Sequence, residues 1–297
     1  MDSALLNYVK ENNIEYYINK KTSDIVSFKI GGCADLIVYP GTIYELCEIL
    51  LRIKSRKKKL VGFGTNCYFC DRDYLGTVVV TRRIDGAYAY GNRIFASCGA
   101  SLTSLCKLAQ ENSCEGLEFA YGIPGSLGGA VAMNASAFGG EMSKIVYSSI
   151  VFDAVKEEIK VLSHSKHEFG VKSSVFKNQE IYLLKSELIL KKGCKTDILQ
   201  RMNNNFKKRV ETQPLDFPSA GSTFVRPPFG YASKMIDMCG LKGLQVGGAM
   251  VSNKHAGFIV NIGGATAEDV SDLTKIIKEK VFEKFGVELK EEIIYIE

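Results

Sequence analysis

The feature of this sequence that most restricts its fold is the glycine-rich stretch YGIPGSLGGAVAMNASAFGGEM, residues 121–142. It holds six of the chain's 28 glycines, one charged residue (Glu141) and mostly small side chains. Such side chains bury little apolar surface, so the stretch contributes little to a core. Glycine permits positive φ and a close approach of backbone N–H groups to another molecule. The stretch therefore predicts either plain turns or a backbone that contacts a ligand.

A second glycine segment, GFGTN at residues 62–66, follows an apolar strand pattern. Successive N–H groups on such a loop form a concave site for phosphate oxygens. Gly62 and Gly64 match the start of a dinucleotide fingerprint, but Cys67 stands at the third glycine position and no helix pattern follows. The 121–142 stretch also lacks the Gly-Lys-Ser/Thr ending of a P-loop. The two segments favour a phosphate-bearing cofactor of another class, with plain turns as the alternative.

The composition is that of an ordinary globular protein, with 46% hydrophobic and 24% charged residues among 297. No apolar run reaches the roughly 18–20 residues of a membrane span, and the N-terminus lacks signal-peptide features, so we expect a cytoplasmic protein. The net charge is +5, and the basic run at 52–60 fits a solvated helix end. No basic stripe with interleaved aromatics is present, so we expect no nucleic-acid partner.

The nine cysteines predict reduced thiols, because no secretion signal accompanies them. The Cys-x-x-Cys pattern occurs once, at Cys67 and Cys70. A structural zinc site needs about four ligands, usually from two such pairs. The three histidines, His164, His167 and His255, lie far from that pair in the sequence. We therefore expect the Cys67 and Cys70 thiols to be buried and to hold no metal.

Helix and strand patterns alternate along the chain. Thr42 and Glu45 form a capping-box pattern that begins a helix predicted to end near Ser55. Residues 148–162 and 180–192 alternate like antiparallel strands. Further helices are predicted at 101–112, 195–210, 231–240 and 266–286, the last capped by Thr266 and ended by Gly286, and a final strand at 287–297.

Four of the six prolines fall within residues 211–230, a change of composition that predicts a domain boundary near residue 200. Two glycine segments on mixed strands and helices precede this boundary, and a smaller α/β domain follows it. The pattern predicts an α+β protein that binds a ligand where its domains meet.

Six motifs occur in a fixed order across nearly the whole chain. They are SFKIGGCADLIVYP, GFGTN, GLEFAYGIPGSLGGAVAMNASAFGGEM, PSAGSTFVRPP, GLKGLQVGGAMVSNKHAGFIVN and FGVELKEEI. In this order they resemble the motifs of the UDP-N-acetylenolpyruvoylglucosamine reductase family, flavoenzymes of bacterial cell-wall precursor synthesis. The length of the chain is similar to that of the shorter, type II subclass.

The resemblance implies an α+β fold with an FAD-binding part of the vanillyl-alcohol-oxidase (PCMH) type and a C-terminal α/β substrate-binding domain. The implied FAD-binding subdomains are residues 1–80, on which the C-terminal strand can pack, and residues 81–200. The implied substrate-binding domain is residues 201–297. Non-covalent FAD, NADPH as the electron donor, a nucleotide-sugar substrate and a monomeric state are implied as well.

The implied reaction is the NADPH-dependent reduction of the enolpyruvyl ether of UDP-N-acetylglucosamine to UDP-N-acetylmuramate. Hydride addition leaves an enolate, which needs donors or cations where charge develops and one positioned acid. The resemblance implies that Ser222 is the acid and that Glu292 hydrogen-bonds the enolate or carboxylate, with the neighbouring Glu291 as the alternative candidate for that role. Lys172 stands where the family has an arginine. The implied substrate-binding residues are Arg226, Gln213, Ser174 and His255.

The cofactor-binding residues that the resemblance implies come from the first three motifs. They are Ile30, Gly62, Phe63, Gly64, Thr65, Asn66, Cys67, Gly122, Ile123, Pro124, Gly125, Ser126, Gly128, Gly129, Ala130, Asn134 and Ala135.

Several positions depart from the family pattern. Val171 and Lys172 stand where the family has tyrosine and arginine, and lysine lacks the planar two-pronged donor of arginine. Thr65 replaces a serine, Ser136 a glycine and Phe138 a tyrosine. Two alternatives to a working reductase therefore stay open: an FAD-dependent oxidase of the same superfamily, and a non-catalytic paralogue that binds flavin or nucleotide.

Overall fold

A computed structural model gives the structure of residues 3–53, 57–177 and 180–297. Its α-helices are α1 (Ser3–Glu11), α2 (Ile43–Arg52), α3 (Leu102–Glu111), α4 (Leu127–Ala132), α5 (Lys195–Thr212), α6 (Ala232–Met238) and α7 (Ala267–Phe285). Its strands are β1 (Glu15–Lys21), β2 (Cys33–Tyr39), β3 (Lys58–Val61), β4 (Cys67–Phe69), β5 (Tyr74–Val80), β6 (Ala87–Tyr90), β7 (Arg93–Ser97), β8 (Cys114–Glu115), β9 (Ser136–Ala137), β10 (Gly140–Glu141), β11 (Val146–Asp153), β12 (Glu158–Ser163), β13 (Ile181–Ile189), β14 (Lys191–Lys192), β15 (Ser219–Ser222), β16 (Gln245–Val246), β17 (Ala249–Val251), β18 (Phe258–Asn261) and β19 (Ile294–Ile296).

The chain forms two compact units, each built from three separate segments. Unit 1 comprises Met1–Ile18, Leu36–Phe63 and Gly76–Lys208. Unit 2 comprises Asn19–Asp35, Gly64–Leu75 and Arg209–Glu297. The three-part division of the chain at residues 80 and 200 stays a prediction.

The helices of unit 1 bury one face each in a shared core. The Thr42 hydroxyl accepts a hydrogen bond from the Glu45 N–H at 3.1 Å, as the capping pattern predicts. The Glu45 carboxylate accepts from the N–H of Gly41, one residue before the cap. Helix α2 ends at Arg52. The predicted helix end at Ser55 falls in residues 54–56 of the basic run, which lie outside the described residues. The buried faces of α2 and α3 share a spacing of three or four residues: Leu46, Ile49, Leu50, Leu102, Leu105 and Ala109.

A five-stranded antiparallel sheet in unit 1 has the order β12-β11-β13-β7-β6. Strand β11 pairs with β12 from Ser148↔Ser163 to Asp153↔Glu158, and β11 also pairs with β13. The antiparallel strands predicted in residues 148–162 and 180–192 are therefore confirmed. A separate four-stranded sheet has the order β1-β2-β5-β3, in which β3 and β5 are parallel.

Unit 2 packs α7 against the four-stranded sheet β15-β18-β17-β16. The buried positions of α7 repeat at helical spacing: Val270, Leu273, Ile277 and Val281. Thr266 and Asp269 exchange the two hydrogen bonds of a capping box, and Gly286 ends the helix with φ +64°. The sequence-predicted start and end of this helix are confirmed.

The predicted strand at 287–297 is wrong in length, because only Ile294–Ile296 form β19, which pairs in parallel with β4. The segment changes its hydrogen-bonding partner along its length. The Val225 N–H donates to Lys290 O and the Glu292 N–H donates to Thr223 O, whereas the Ile294 N–H donates to Asn66 O. One continuous ladder cannot form across that change of partner.

The hairpin at the end of the glycine-rich stretch turns at Phe138 and Gly139. Ala137 pairs with Gly140, and the two residues between them have φ of +48° and +83°. Positive φ at both central residues is the pattern of a type I′ turn, which favours Asn and Gly. Phe138 is 47% exposed, so it occupies a strained backbone position with much of its ring in solvent.

We expect Phe138→Asn to raise the free energy of unfolding by about 1 kcal/mol, because an L-residue with a bulky side chain pays roughly 1–2 kcal/mol in the left-handed region. Urea unfolding measures the change. Phe138→Ala is the control, since alanine removes the ring but keeps the Cβ and the strain. Equal stabilities of the Asn and Ala variants would contradict the backbone explanation.

Candidate active site

Within unit 1 the two glycine segments meet at Gly62 and Ser126. A Cβ on Gly62 would lie 2.2 Å from the Ser126 Oγ, so any larger residue there would displace the serine hydroxyl. Ser126 is buried, and its hydroxyl caps α4 by accepting from the Gly129 N–H at 3.2 Å. The two glycine segments, which are far apart in sequence, thus approach each other where position 62 has no side chain. The hypothesis that the glycines bind a cofactor requires such an approach.

The first turn of α4 lies directly against the chain that leaves β7. The Gly128 N–H donates to Cys98 O at 2.8 Å, and the Leu127 N–H donates to Ala100 O at 2.8 Å. A Cβ on Gly128 would lie 3.0 Å from the same Cys98 oxygen. Burial raises the pKa of the Cys98 thiol to about 12, so this cysteine stays protonated and unreactive where it packs against α4.

Backbone N–H groups in both glycine segments are available as donors. Among the described residues, none accepts a hydrogen bond from the N–H groups of Phe63, Gly64, Thr65, Asn66, Gly125 or Ser126. Gly64 is buried and has φ +66°. Unpaired N–H donors are costly when buried, and successive donors suit phosphate oxygens. The residues present therefore fit a phosphate-bearing cofactor such as FAD.

A tight turn at residues 170–173 carries Lys172, which has φ +53°. The Asn134 Nδ2 donates to Gly170 O at 3.0 Å, and the Asn134 Oδ1 accepts from the Ser143 N–H at 2.9 Å. The Ser174 hydroxyl donates to Ala132 O at 2.9 Å. The end of the glycine-rich stretch thus holds both sides of the turn. Asn134 and Ser174 are buried.

A β-bulge places Ser222 at the surface of unit 2. Ser219 pairs with Val260 and Ser222 with Phe258, so β15 advances three positions where β18 advances two. Gly221 within the bulge has φ +81°. Such bulges re-aim side chains and occur often beside active sites. Ser222 is exposed, and none of the described residues makes a hydrogen bond to its hydroxyl.

The segment that carries Glu292 lies beside the strand of Ser222. The Glu292 N–H donates at 2.8 Å to the carbonyl of Thr223, the residue after Ser222. Glu291, the neighbouring carboxylate, forms an ion pair with Lys278. The Glu291 carboxylate therefore has a fixed cationic partner.

Three of the four predicted substrate-binding residues also lie in unit 2. The guanidinium of Arg226 lies 4.1 Å from the ring centre of Tyr231, and its Nε donates to Gly230 O. The His255 Nδ1 accepts from the Gly257 N–H, which places the proton of a neutral ring on Nε2, and burial lowers the pKa of this histidine. Gln213 is half-buried just after α5.

The predicted site residues are divided between the two units. Unit 1 holds Gly62, Phe63, Gly122, Ile123, Pro124, Gly125, Ser126, Gly128, Gly129, Ala130, Asn134, Ala135, Lys172 and Ser174. Unit 2 holds Ile30, Gly64, Thr65, Asn66, Cys67, Gln213, Ser222, Arg226, His255 and Glu292. Ile30 is 1% exposed, so its side chain belongs to the core of unit 2.

Sequence reasoning missed Ser27, which links the loop at Gly64 to the strand of Ser222. Its N–H donates to Gly64 O at 2.9 Å, and its hydroxyl donates to Ser219 O at 2.6 Å. Ser27 belongs to the first motif, SFKIGG, which marks the segment. The partner at Ser219, 192 residues away, could not be read from it.

Among the described residues, no group of three or more His, Cys, Asp or Glu side chains is arranged to hold a metal ion. None of the helices in the described ranges combines the length and the apolar character that crossing a membrane requires.

Comparisons with known proteins agree along the chain. The family described as "FAD binding domain" matches residues 34–156, and the one described as "UDP-N-acetylenolpyruvoylglucosamine reductase, C-terminal domain" matches residues 213–296. UDP-N-acetylenolpyruvoylglucosamine reductase of Caldicellulosiruptor bescii is 41% identical over 97% of this chain and 93% of that protein. The Thermotoga maritima enzyme of the same name is 40% identical over 92% and 96%. The crystal structure of UDP-N-acetylenolpyruvylglucosamine reductase from Thermus caldophilus has a TM-score of 0.80 and 30% identity, over 96% of this chain and 99% of that one.

We expect Gly62→Ala to lower the free energy of unfolding by about 1–3 kcal/mol, because its Cβ would overlap Ser126 Oγ in a packed site. Denaturant unfolding of the single and double variants measures this. In a Ser126→Gly background the same change should cost much less, which gives a coupling energy between the two positions.

Gly129→Ala is the control for the Gly62 change. Its Cβ would lie 3.5 Å from Ser126 Oγ, an ordinary contact, and alanine favours a helix. Additive effects of Gly62→Ala and Ser126→Gly would contradict the close approach of the two segments.

Proposed function

Because the chain belongs to the UDP-N-acetylenolpyruvoylglucosamine reductase family, we propose that it reduces the enolpyruvyl ether of UDP-N-acetylglucosamine to UDP-N-acetylmuramate with NADPH and non-covalent FAD. The observation that carries the proposal is the hydrogen-bonded pairing of the segments of Ser222 and Glu292. It lies within residues 213–296, the part that matches the reductase C-terminal domain. The fold class is the predicted α+β one, with an FAD-binding part and a C-terminal reductase domain.

The cofactor is FAD, in keeping with the FAD binding domain match over residues 34–156. When bound, FAD supplies the hydride chemistry between NADPH and the substrate. The residues proposed to hold it are the backbone groups of 62–66 and of 122–130. The N–H donors without a partner among the described residues, at 63–66, Gly125 and Ser126, suit a diphosphate, and the bare Cα atoms of the glycines suit a flat ring.

Ser222 is proposed as the acid that protonates the carbon next to the reduced methylene. Ser222 is exposed, and its hydroxyl takes part in no hydrogen bond with another described residue, so its proton is available. A serine can act here because a carbanion-like species held in contact is strongly basic. Glu292 and Lys172 are proposed to stabilise the charge that develops on the enolate and carboxylate.

Substrate contacts are proposed for four side chains. The Arg226 guanidinium suits a diphosphate or carboxylate and is held by Tyr231 and the Gly230 carbonyl. His255 offers an Nε2–H donor in its neutral form, and Gln213 offers an amide. The Ser174 hydroxyl donates its proton to Ala132 O. It is therefore proposed to position the turn at residues 170–173 and to act toward the substrate only as a hydrogen-bond acceptor.

The cellular setting and the organisation of the chain complete the proposal. We place the protein in the cytoplasm as a monomer that acts in peptidoglycan precursor synthesis. The proposed functional division is into FAD-binding subdomains 1–80 and 81–200 and a substrate-binding domain 201–297.

The purified protein should be yellow and should turn over NADPH continuously only when enolpyruvyl-UDP-N-acetylglucosamine is present. Ser222→Ala should lower that rate by about 10²–10⁴-fold, the contribution of a positioned acid, and should leave the yellow colour intact. A colourless protein would refute the flavin assignment. NADPH consumption by oxygen without the nucleotide would indicate an oxidase, and a yellow protein without either activity would indicate a binding paralogue.

Lys172→Arg should raise kcat by roughly fivefold, because a guanidinium offers one more hydrogen bond to a carboxylate than an ammonium in a fixed geometry. Steady-state kinetics with the enolpyruvyl nucleotide measures it. Lys166→Arg, at an exposed lysine in the preceding turn, is the matched control and should change nothing. An unchanged kcat in Lys172→Arg at saturating substrate would count against a role for Lys172 in charge stabilisation.

A further inference from the structure

Asn66, the last residue of GFGTN, bonds to the C-terminal segment through both its side chain and its backbone. Its Nδ2 donates to the Glu292 carbonyl at 3.2 Å. Its own carbonyl accepts from the Ile294 N–H at 2.9 Å. Both partners belong to unit 2, as Asn66 does. The glycine segment therefore ends in a residue whose side chain bonds to protein.

Glu292 is held by its backbone on both sides. Its N–H donates to Thr223 O, beside Ser222, and its C=O accepts from the Asn66 amide. These bonds run to two different segments, because the C-terminal chain changes partner at this residue. With both its N–H and its C=O fixed, the Cα of Glu292 has little freedom to shift relative to Ser222. A rotation of the peptide group on either side of the Glu292 Cα would break one of these two hydrogen bonds.

The amide of Asn66 is the part of this arrangement that depends on a side chain. The bonds from Glu292 N–H and Ile294 N–H join backbone to backbone and exist for any residue type. Only a donor of the length and direction of Asn66 Nδ2 reaches the Glu292 carbonyl. A carboxylate or an alanine at position 66 leaves that carbonyl without its donor, which is costly for a half-buried group.

We propose that Asn66 is a positioning residue for Glu292: its side-chain amide holds the Glu292 backbone in place beside Ser222. The inference rests on the proposed function, because it takes Glu292 as the group that stabilises the enolate. It adds a role to the expectation that Asn66 is a cofactor-binding residue, since its side-chain Nδ2 donates to Glu292 O. Asn66 contributes to the substrate-reduction step, and its backbone N–H stays available to the cofactor.

The test compares the two half-reactions of FAD-loaded Asn66→Asp, which keeps the shape and the oxygen but loses the donor. Reduction of the bound flavin by NADPH alone does not involve Glu292, and reoxidation by the enolpyruvyl nucleotide does. We expect the reoxidation rate to fall about tenfold, the loss of one well-placed hydrogen bond to a backbone carbonyl. The NADPH half-reaction and the substrate KM should stay within about twofold. The FAD dissociation constant is compared in Asn66→Ala, which adds no charge beside the cofactor phosphates, and should also change by no more than about twofold.

Asn261→Asp is the matched control, because Asn261 Nδ2 donates to Phe28 O, a backbone carbonyl in the same unit that is remote in sequence from Glu292. It removes an amide donor and should lower the melting temperature. It should not slow flavin reoxidation more than flavin reduction. Asn66→Ala should reproduce the defect of Asn66→Asp. Equal slowing of both half-reactions, or a loss of FAD affinity in Asn66→Ala, would overturn the proposal and assign the Asn66 side chain to the cofactor.

Hydrogen exchange gives a readout that is independent of catalysis. The peptide 289–297 should exchange faster in Asn66→Asp than in the unmodified chain, and Asn261→Asp should leave it unchanged. Equal exchange would overturn the positioning role even if the unmodified chain did not reduce the nucleotide. Absence of that reduction in the unmodified chain would refute the proposed function alone.

Discussion

The close approach of Gly62 to Ser126 is the constraint on which the arrangement of unit 1 depends. A side chain at position 62 would occupy the place of the serine hydroxyl, which is itself needed to cap α4. The cap fixes the start of α4, and α4 in turn bonds to the chain after β7 through the N–H groups of Leu127 and Gly128. Glycine is therefore used here to pack backbone on backbone, which leaves N–H donors unpaired and fit for a phosphate-bearing cofactor.

How much the sequence predicts depends on how local the signal is. The limits of α7 follow from Thr266, Asp269 and Gly286, which act within one turn of the helix end, and the antiparallel strands in 148–162 and 180–192 follow from alternation. The family resemblance and the α+β class are also confirmed. The strand predicted at 287–297 is wrong because its hydrogen-bonding partner changes at Glu292, and alternation carries no information on partners.

The candidate site follows the same rule. The motifs point to the residues proposed to carry chemistry, and the structure puts Ser222 and Glu292 on hydrogen-bonded segments of unit 2. The bonds that hold these segments join residues 192 apart, from Ser27 to Ser219, and 226 apart, from Asn66 to Glu292. No periodicity or spacing in a single sequence encodes such pairs. The assembly of each unit from three chain segments is hidden for the same reason.

In each unit taken by itself, an asparagine from a glycine segment holds the chain that carries a proposed catalytic residue. Asn134 donates to Gly170 O and thereby fixes the turn of Lys172, and Asn66 donates to Glu292 O. Asparagine suits this task because its amide is short, uncharged and able to donate to a carbonyl without burying a charge. In the proposed function, the backbone of a glycine segment binds the cofactor, and its asparagine side chain orients the residues proposed to act on the substrate. Cofactor binding and turnover would then be separable properties of the same segments. On that basis, the lysine at position 172, where the family has arginine, would alter turnover without altering the backbone proposed to bind flavin.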